Sequence, residues 1–116
     1  MIMVQSTFQL KQHTRSDVLA LMQDMTSESR KEPGCLSYEY FVGLNDNCQI
    51  VLVQEWESPE TLQQHYQTAH MEKFVEKLGH YLDVPIVTRS YALHDENEVP
   101  ITVASVMADW SHETIH

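Results

Sequence analysis

Along the first ten residues Val4, Ser6, Phe8 and Leu10 alternate with Met3, Gln5, Thr7 and Gln9. A period of two predicts an opening strand. The period then lengthens: Val18, Leu21, Met22 and Met25 recur at helical spacing, after a capping-box-like Thr14 and Asp17 and before the stop Glu32-Pro33-Gly34. Alternation returns from Cys35 to Val42 and again from Cys48 to Trp56, with Gly43-Leu44-Asn45-Asp46-Asn47 between them as turn chemistry, which predicts a hairpin. Ser58 supplies an N-cap, Pro59 a first helical residue with no N–H to lose, and Glu60 a charge that complements the helix dipole. A helix is expected over about 59–67. Thr68 can cap a second one, with Met71, Phe74, Val75 and Leu78 on one face and its end near Gly79. Val84 to Leu93 alternates as a last strand, whose Pro85 belongs at an edge or outside the ladder.

The order β-α-β-β-α-α-β is the split βαβ of a ferredoxin-like α+β fold with an antiparallel sheet, its second helix broken in two. Residues 1–95 are expected to form this domain and 96–116 a C-terminal arm, reached through the acidic break Asp95-Glu96-Asn97-Glu98 and containing a strand-like stretch, Val99 to Val106. Pairing Cys35–Val42 with Cys48–Glu55 puts Leu36, Tyr38, Tyr40, Val42, Ile50 and Leu52 on one face and Cys35, Phe41, Val51 and Val53 on the other. Both faces are apolar, and the helices of so small a domain cover only one. A homodimer is therefore expected, with the arm a candidate for crossing onto the partner.

Composition narrows the function classes. Seven Lys and Arg against seventeen Asp and Glu give a net charge of −10 in 116 residues, which repels nucleic acid and anionic lipid. No apolar run approaches the roughly 20 residues of a membrane span and no basic leader is visible, so a cytoplasmic protein is expected. Three glycines leave neither a phosphate-cradling loop nor a dinucleotide fingerprint, and there is no Gly-x-Ser-x-Gly elbow. Cys35 and Cys48 would stand about seven residues, or roughly 20 Å, apart in the hairpin and are expected to be free thiols.

Candidate chemistry centres on His65 and His70. On a continuous helix residues five apart diverge by about 140°, so they do not form an i, i+4 metal pair, and no third ligand is recognisable nearby. A break at Thr68 can bring them together, and His70 in a helix's first turn is favoured neutral. Tyr38 and Trp56 are core aromatics able to frame a substrate ring. Glu55, placed opposite Cys35, is expected to face an apolar interior, where it either pairs, with Arg89 or a histidine, or has a raised pKa.

The run from Glu32-Pro33-Gly34-Cys35 through Glu55-Trp56-x-Ser58 to Leu62-x-x-His65-x-x-Thr68-x-His70 resembles the antibiotic biosynthesis monooxygenase-like family of dimeric α+β barrel proteins. The resemblance implies two sheets packed face to face. Quinol monooxygenases are most similar in local wording, and they imply an enzyme without metal, flavin or haem in which a deprotonated phenol or quinol itself reduces O2. The site would then use His65 or His70 as base, Tyr38 or Trp56 against the ring, and Glu55 and Arg89 as further substrate contacts. Family isomerases that act on phosphorylated autoinducer-2 share the His-x-x-Thr-x-His segment and supply an alternative, in which Arg89 would meet the phosphate; a non-catalytic small-molecule-binding dimer is a third. Haem-degrading members carry Asn, Trp and His where this chain has Phe8, His65 and Val75, a departure that disfavours haem chemistry.

Overall fold

In the computed structural model, which describes residues 1–93, a four-stranded antiparallel sheet carries three α-helices on one face. The elements are β1 (Ile2–Gln9), α1 (Arg15–Arg30), β2 (Cys35–Val42), β3 (Gln49–Trp56), α2 (Pro59–Tyr66), α3 (Ala69–Leu78) and β4 (Val87–Ala92). Spatial order is β2-β3-β1-β4, so β3 separates β1 from β2 and the split βαβ is realised. The acidic break, the strand-like stretch and the arm expected beyond Leu93 lie outside the described residues.

Alternation decides which face is covered. Val4, Ser6 and Phe8 of β1 and Ile50, Leu52, Gln54 and Trp56 of β3 are buried beneath the helices, together with Tyr38. From above, α1 contributes Val18, Met22 and Met25, α2 Leu62, and α3 Phe74 and Leu78, each recurring about once per turn. The opposite face, with Phe41, Val51, Val53 and Val87, has no element of the described chain over it.

Three local expectations are corrected. Thr14 does not cap α1: a single 3-10 turn over Gln12–Thr14 precedes the helix, and the Thr14 hydroxyl turns back to donate to the Lys11 carbonyl at 2.7 Å. The hairpin closes two residues later than expected, pairing Val42 with Ile50, because Asp46 accepts from Cys48 N through its carboxylate and from Gln49 N through its carbonyl and so lengthens the loop. A bulge at Leu36 then sets Cys35 opposite Trp56 and Ser37 opposite Glu55, so Glu55 does not face Cys35. Both cysteines are free, Cys48 in the core and Cys35 half-buried.

The segment between α1 and β2 is a tight turn in which Cys35 N donates to the Glu32 carbonyl at 3.2 Å. Pro33 occupies its second position and Gly34 its third with φ +84°, the geometry of a type II turn. Gly34 also accepts from Glu57 N at 2.9 Å and lies against the first turn of α2, where an added Cβ would come within 2.6 Å of Thr61 Cβ. Thr61 is engaged in the capping box with Ser58, so it has little freedom to retreat. Gly34→Ala is therefore expected to destabilise the fold by about 2 kcal/mol or more, from backbone strain plus the clash. Chemical denaturation checks this, and a Thr61→Ser background, which removes the offending methyl, should recover part of the loss.

Candidate active site

Three segments converge beside Trp56. Glu32 stands at the start of the type II turn, held by its N–H to the Ser29 carbonyl. His65 lies near the end of α2 and is fully buried. At Thr68 the chain breaks: its hydroxyl donates to the His65 carbonyl at 2.8 Å and accepts from Met71 N, ending one helix and capping the next. His70 follows in the first turn of α3 and is turned back toward His65, their ring centroids 6.2 Å apart.

One carboxylate oxygen serves both rings. Glu32 Oε2 is 2.8 Å from His65 Nδ1 and 2.7 Å from His70 Nε2. An ionised carboxylate only accepts, so each of those nitrogens carries a hydrogen and donates. Neutral His65 then has its lone pair on Nε2, which is buried and has no hydrogen-bond partner among the described residues. Burial holds the imidazole below its ordinary value of 6.5, against the hydrogen bond and charge of Glu32, which pull it up. The ring lies 4.7 Å from Trp56 at 34° and 5.7 Å from both Tyr38 and Tyr66.

Beyond those two tyrosines lies a cavity of about 390 Å³ between the sheet and α2–α3. Its lining is mostly apolar, with Phe8, Leu52 and Phe74 prominent, and its polar groups are few: Tyr38, Tyr66, Gln54 and the hydroxyl pair Ser6–Thr88, joined at 2.9 Å. Gln54 Oε1 accepts from Trp56 Nε1 at 2.8 Å, which leaves its amide hydrogens as remaining donors. Burial raises the Tyr38 phenol and raises Tyr40, hydrogen-bonded to it, well above the usual range; Tyr66 is pushed up to about 12, by burial first and Tyr38 second. All three are neutral hydroxyls near pH 7.

Of the residues singled out in the sequence, His65, His70, Tyr38 and Trp56 are brought together. Glu55 and Arg89 are not. Glu55 stands on the uncovered face, where Ser37 Oγ donates to it at 2.7 Å, and Arg89 lies on that same face opposite Gln5. The expectations that Glu55 looks into an apolar interior and that Arg89 reaches the same pocket are thus corrected by strand parity. Among the described residues no Lys or Arg lines the cavity. The expectation that no third ligand accompanies the histidines is corrected too, since Glu32, His65 and His70 offer donor atoms all within 4.8 Å of one another. Sequence reasoning passed over Glu32, Tyr66 and Gln54. A signal for Glu32 existed: an acid just past a helix C-terminus opposes the dipole and calls for another partner.

Comparison with known proteins agrees with this architecture. Residues 1–77 match the family model described as antibiotic biosynthesis monooxygenase. An uncharacterised protein of Synechocystis is 28% identical over 92 residues, 79% of this chain and 63% of its own length. YcnE of Bacillus subtilis, provisionally assigned as a monooxygenase, is 28% identical over 86 residues, 74% of this chain and 90% of its own. The structure of Rv0793 from Mycobacterium tuberculosis superposes with a TM-score of 0.77 at 26% identity, covering 84% of this chain and 98% of that one. With its ferredoxin-like sheet and a family match across about two-thirds of its length, the chain belongs to the antibiotic biosynthesis monooxygenase family.

Proposed function

We propose that this protein is a homodimeric monooxygenase that oxidises a small phenol or quinol with O2 and uses no cofactor. The observation that carries the reading is the bare Nε2 of His65, buried one side chain away from an apolar cavity walled by Tyr38 and Tyr66. An electron-rich aromatic fits such a cavity, with Gln54 and the tyrosine hydroxyls as orienting hydrogen-bond partners.

The chemistry asks little of the protein. A phenol loses its proton to His65, directly or through the hydroxyl of Tyr38 or Tyr66, and the resulting phenolate gives an electron to O2. Superoxide and the substrate radical combine at a ring carbon, forming a C–O bond to a peroxide that takes back the proton held by His65 and becomes a hydroperoxide. Cleavage of its O–O bond with loss of that carbon's hydrogen leaves a C=O group and releases water, so one oxygen atom enters the product and the other leaves as water. Glu32 fixes the acceptor tautomer of His65 and stabilises the imidazolium once formed, the task of a carboxylate behind a catalytic histidine. His70, part-exposed, donates to the same carboxylate oxygen from its other side and so holds that carboxylate behind His65. An isomerase acting on a phosphorylated substrate fits less well, because a phosphate needs cationic partners and the described residues of the cavity lining include no Lys or Arg. The dimer is supported by the uncovered sheet face and its half-buried Val51 and Val53.

His65→Asn keeps a donor near Nδ1 for Glu32 and removes Nε2. It is expected to lower kcat for oxygen uptake with a reactive quinol by roughly 100-fold or more; an unchanged rate removes His65 from the mechanism. The acid limb of the kcat profile is expected below pH 6.5, because protonation abolishes the base and burial depresses its pKa. Glu32→Gln, which deletes the charge that raises that pKa, should move the limb further toward acid. Val53→Asp, on the uncovered face, is expected to give a folded monomer by light scattering and circular dichroism, where the wild type is a dimer at micromolar concentration.

A further inference from the structure

The two imidazoles and the carboxylate of the candidate site have a second capability that proton transfer does not use. Two histidine nitrogens and one carboxylate make up the protein's share of many zinc and other first-row transition-metal sites that keep a position open. Here the three come from separate segments, each fixed by its own device: the type II turn for Glu32, the end of α2 for His65 and the Thr68 cap for His70. Their donor atoms lie within 4.8 Å of one another. A tetrahedral ion with bonds of about 2.1 Å needs donors about 3.4 Å apart, so the hydrogen-bonded spacings of 2.8 and 2.7 Å must widen by roughly 0.6–0.7 Å. His70 and Glu32 are the side chains with room to give, at 27% and 12% exposure against none for His65.

Entry is one-sided. His70 lines a groove between α1 and α3 in which Asp24 and Glu28 also stand, alongside Lys73 and Lys77. A chain of net charge −10 raises the local concentration of cations.

We propose that Glu32, His65 and His70 bind one divalent ion of the zinc or cobalt type through the α1–α3 groove, and that the ion switches the site off. The switch follows from the tautomer. A metal on His65 Nδ1 requires the lone pair there, so the ring's single proton moves to Nε2, the nitrogen that otherwise stands bare. His70 likewise moves its proton to Nδ1, and no net proton need be released. With Nε2 protonated, His65 can no longer accept a proton from the cavity side. This second half of the proposal rests on the monooxygenase reading; the binding site does not.

Titration of the full chain with Co2+, followed by its visible ligand-field absorption, and with Zn2+ by calorimetry, tests the site without any substrate. One ion per chain is expected, with affinity lowered roughly 100-fold or more in His70→Ala and in Glu32→Gln, since even outer-shell changes cost 10- to 100-fold. His13→Ala, on the exposed turn before α1, should bind as wild type. Equal binding by all four proteins, or none at millimolar metal, overturns the site. For the switch, nitrogen-15 shifts of the His65 ring should show the hydrogen moving from Nδ1 to Nε2 on addition of Zn2+, with oxygen uptake suppressed and restored by a chelator. Metal bound with Nε2 still bare, or with oxygen uptake undiminished, overturns the switch and leaves the site standing. A shifted tautomer in a protein that oxidises no quinol counts against the monooxygenase reading alone.

Discussion

A carboxylate has lone pairs but no hydrogen to give, and the arrangement around Trp56 follows from that asymmetry. Because Glu32 Oε2 only accepts, His65 must donate through Nδ1 and His70 through Nε2, which orients both rings and leaves the far nitrogen of His65 bare. The same contact ties the exit of α1 to the end of one helix and the start of another. Its neighbours support it: Arg30 Nε donates to the Tyr38 carbonyl at 3.1 Å, and Gly34 holds Glu57, so turn, sheet and helix are clamped within a few residues of the shared oxygen. Burial of His65 against Trp56 excludes water, which strengthens these hydrogen bonds and makes the bare nitrogen an uncompensated cost to the fold. The catalytic role proposed for His65 rests on that cost.

The sheet divides its work between its two faces. Beneath the helices, β4 presents the small side chains Thr88, which lines the cavity, and Ser90, while Val87, Arg89 and Tyr91 point the other way. The usual preference for large residues inside is thereby inverted on this strand. On the uncovered face Ser37, Glu55, Met3 and Tyr91 form one row across the four strands and Glu39, Val53, Gln5 and Arg89 the next. Charges and apolar groups are interleaved there, on the face that the proposed dimer would bury.

Elements and their order were legible because their signals are local. Ser58-Pro59, Thr68 and the Pro33-Gly34 pair each act over three or four residues, and the structure uses each as its chemistry suggests. The meeting of His65 with His70 was legible for the same reason, since the Thr68 cap announces the break. Register was not: it depended on Asp46 reaching backbone N–H groups across a loop, and a carboxylate in a turn has several such options. Glu32 stayed hidden because its partners are 33 and 38 residues away and no periodicity links them. Arg89 was misplaced by the small, polar inner face of β4, which hydropathy reads as outside.

The bulge at Leu36 bears on how such a site persists as sequences drift. Downstream of it β2 keeps a fixed register with β3, and upstream the chain steps out by one residue, so Cys35 meets Trp56 and the turn arrives flush against α2. One residue of strand spans about 3.3 Å and reverses the side on which every preceding side chain projects. The contact at Glu32 is thus guarded by spacing as much as by chemistry. Many substitutions between Glu32 and Tyr38 leave the carboxylate in reach of both rings, whereas a single insertion or deletion in that interval swings it away, so a comparison of relatives that scores identities and ignores gaps misses the change that matters most.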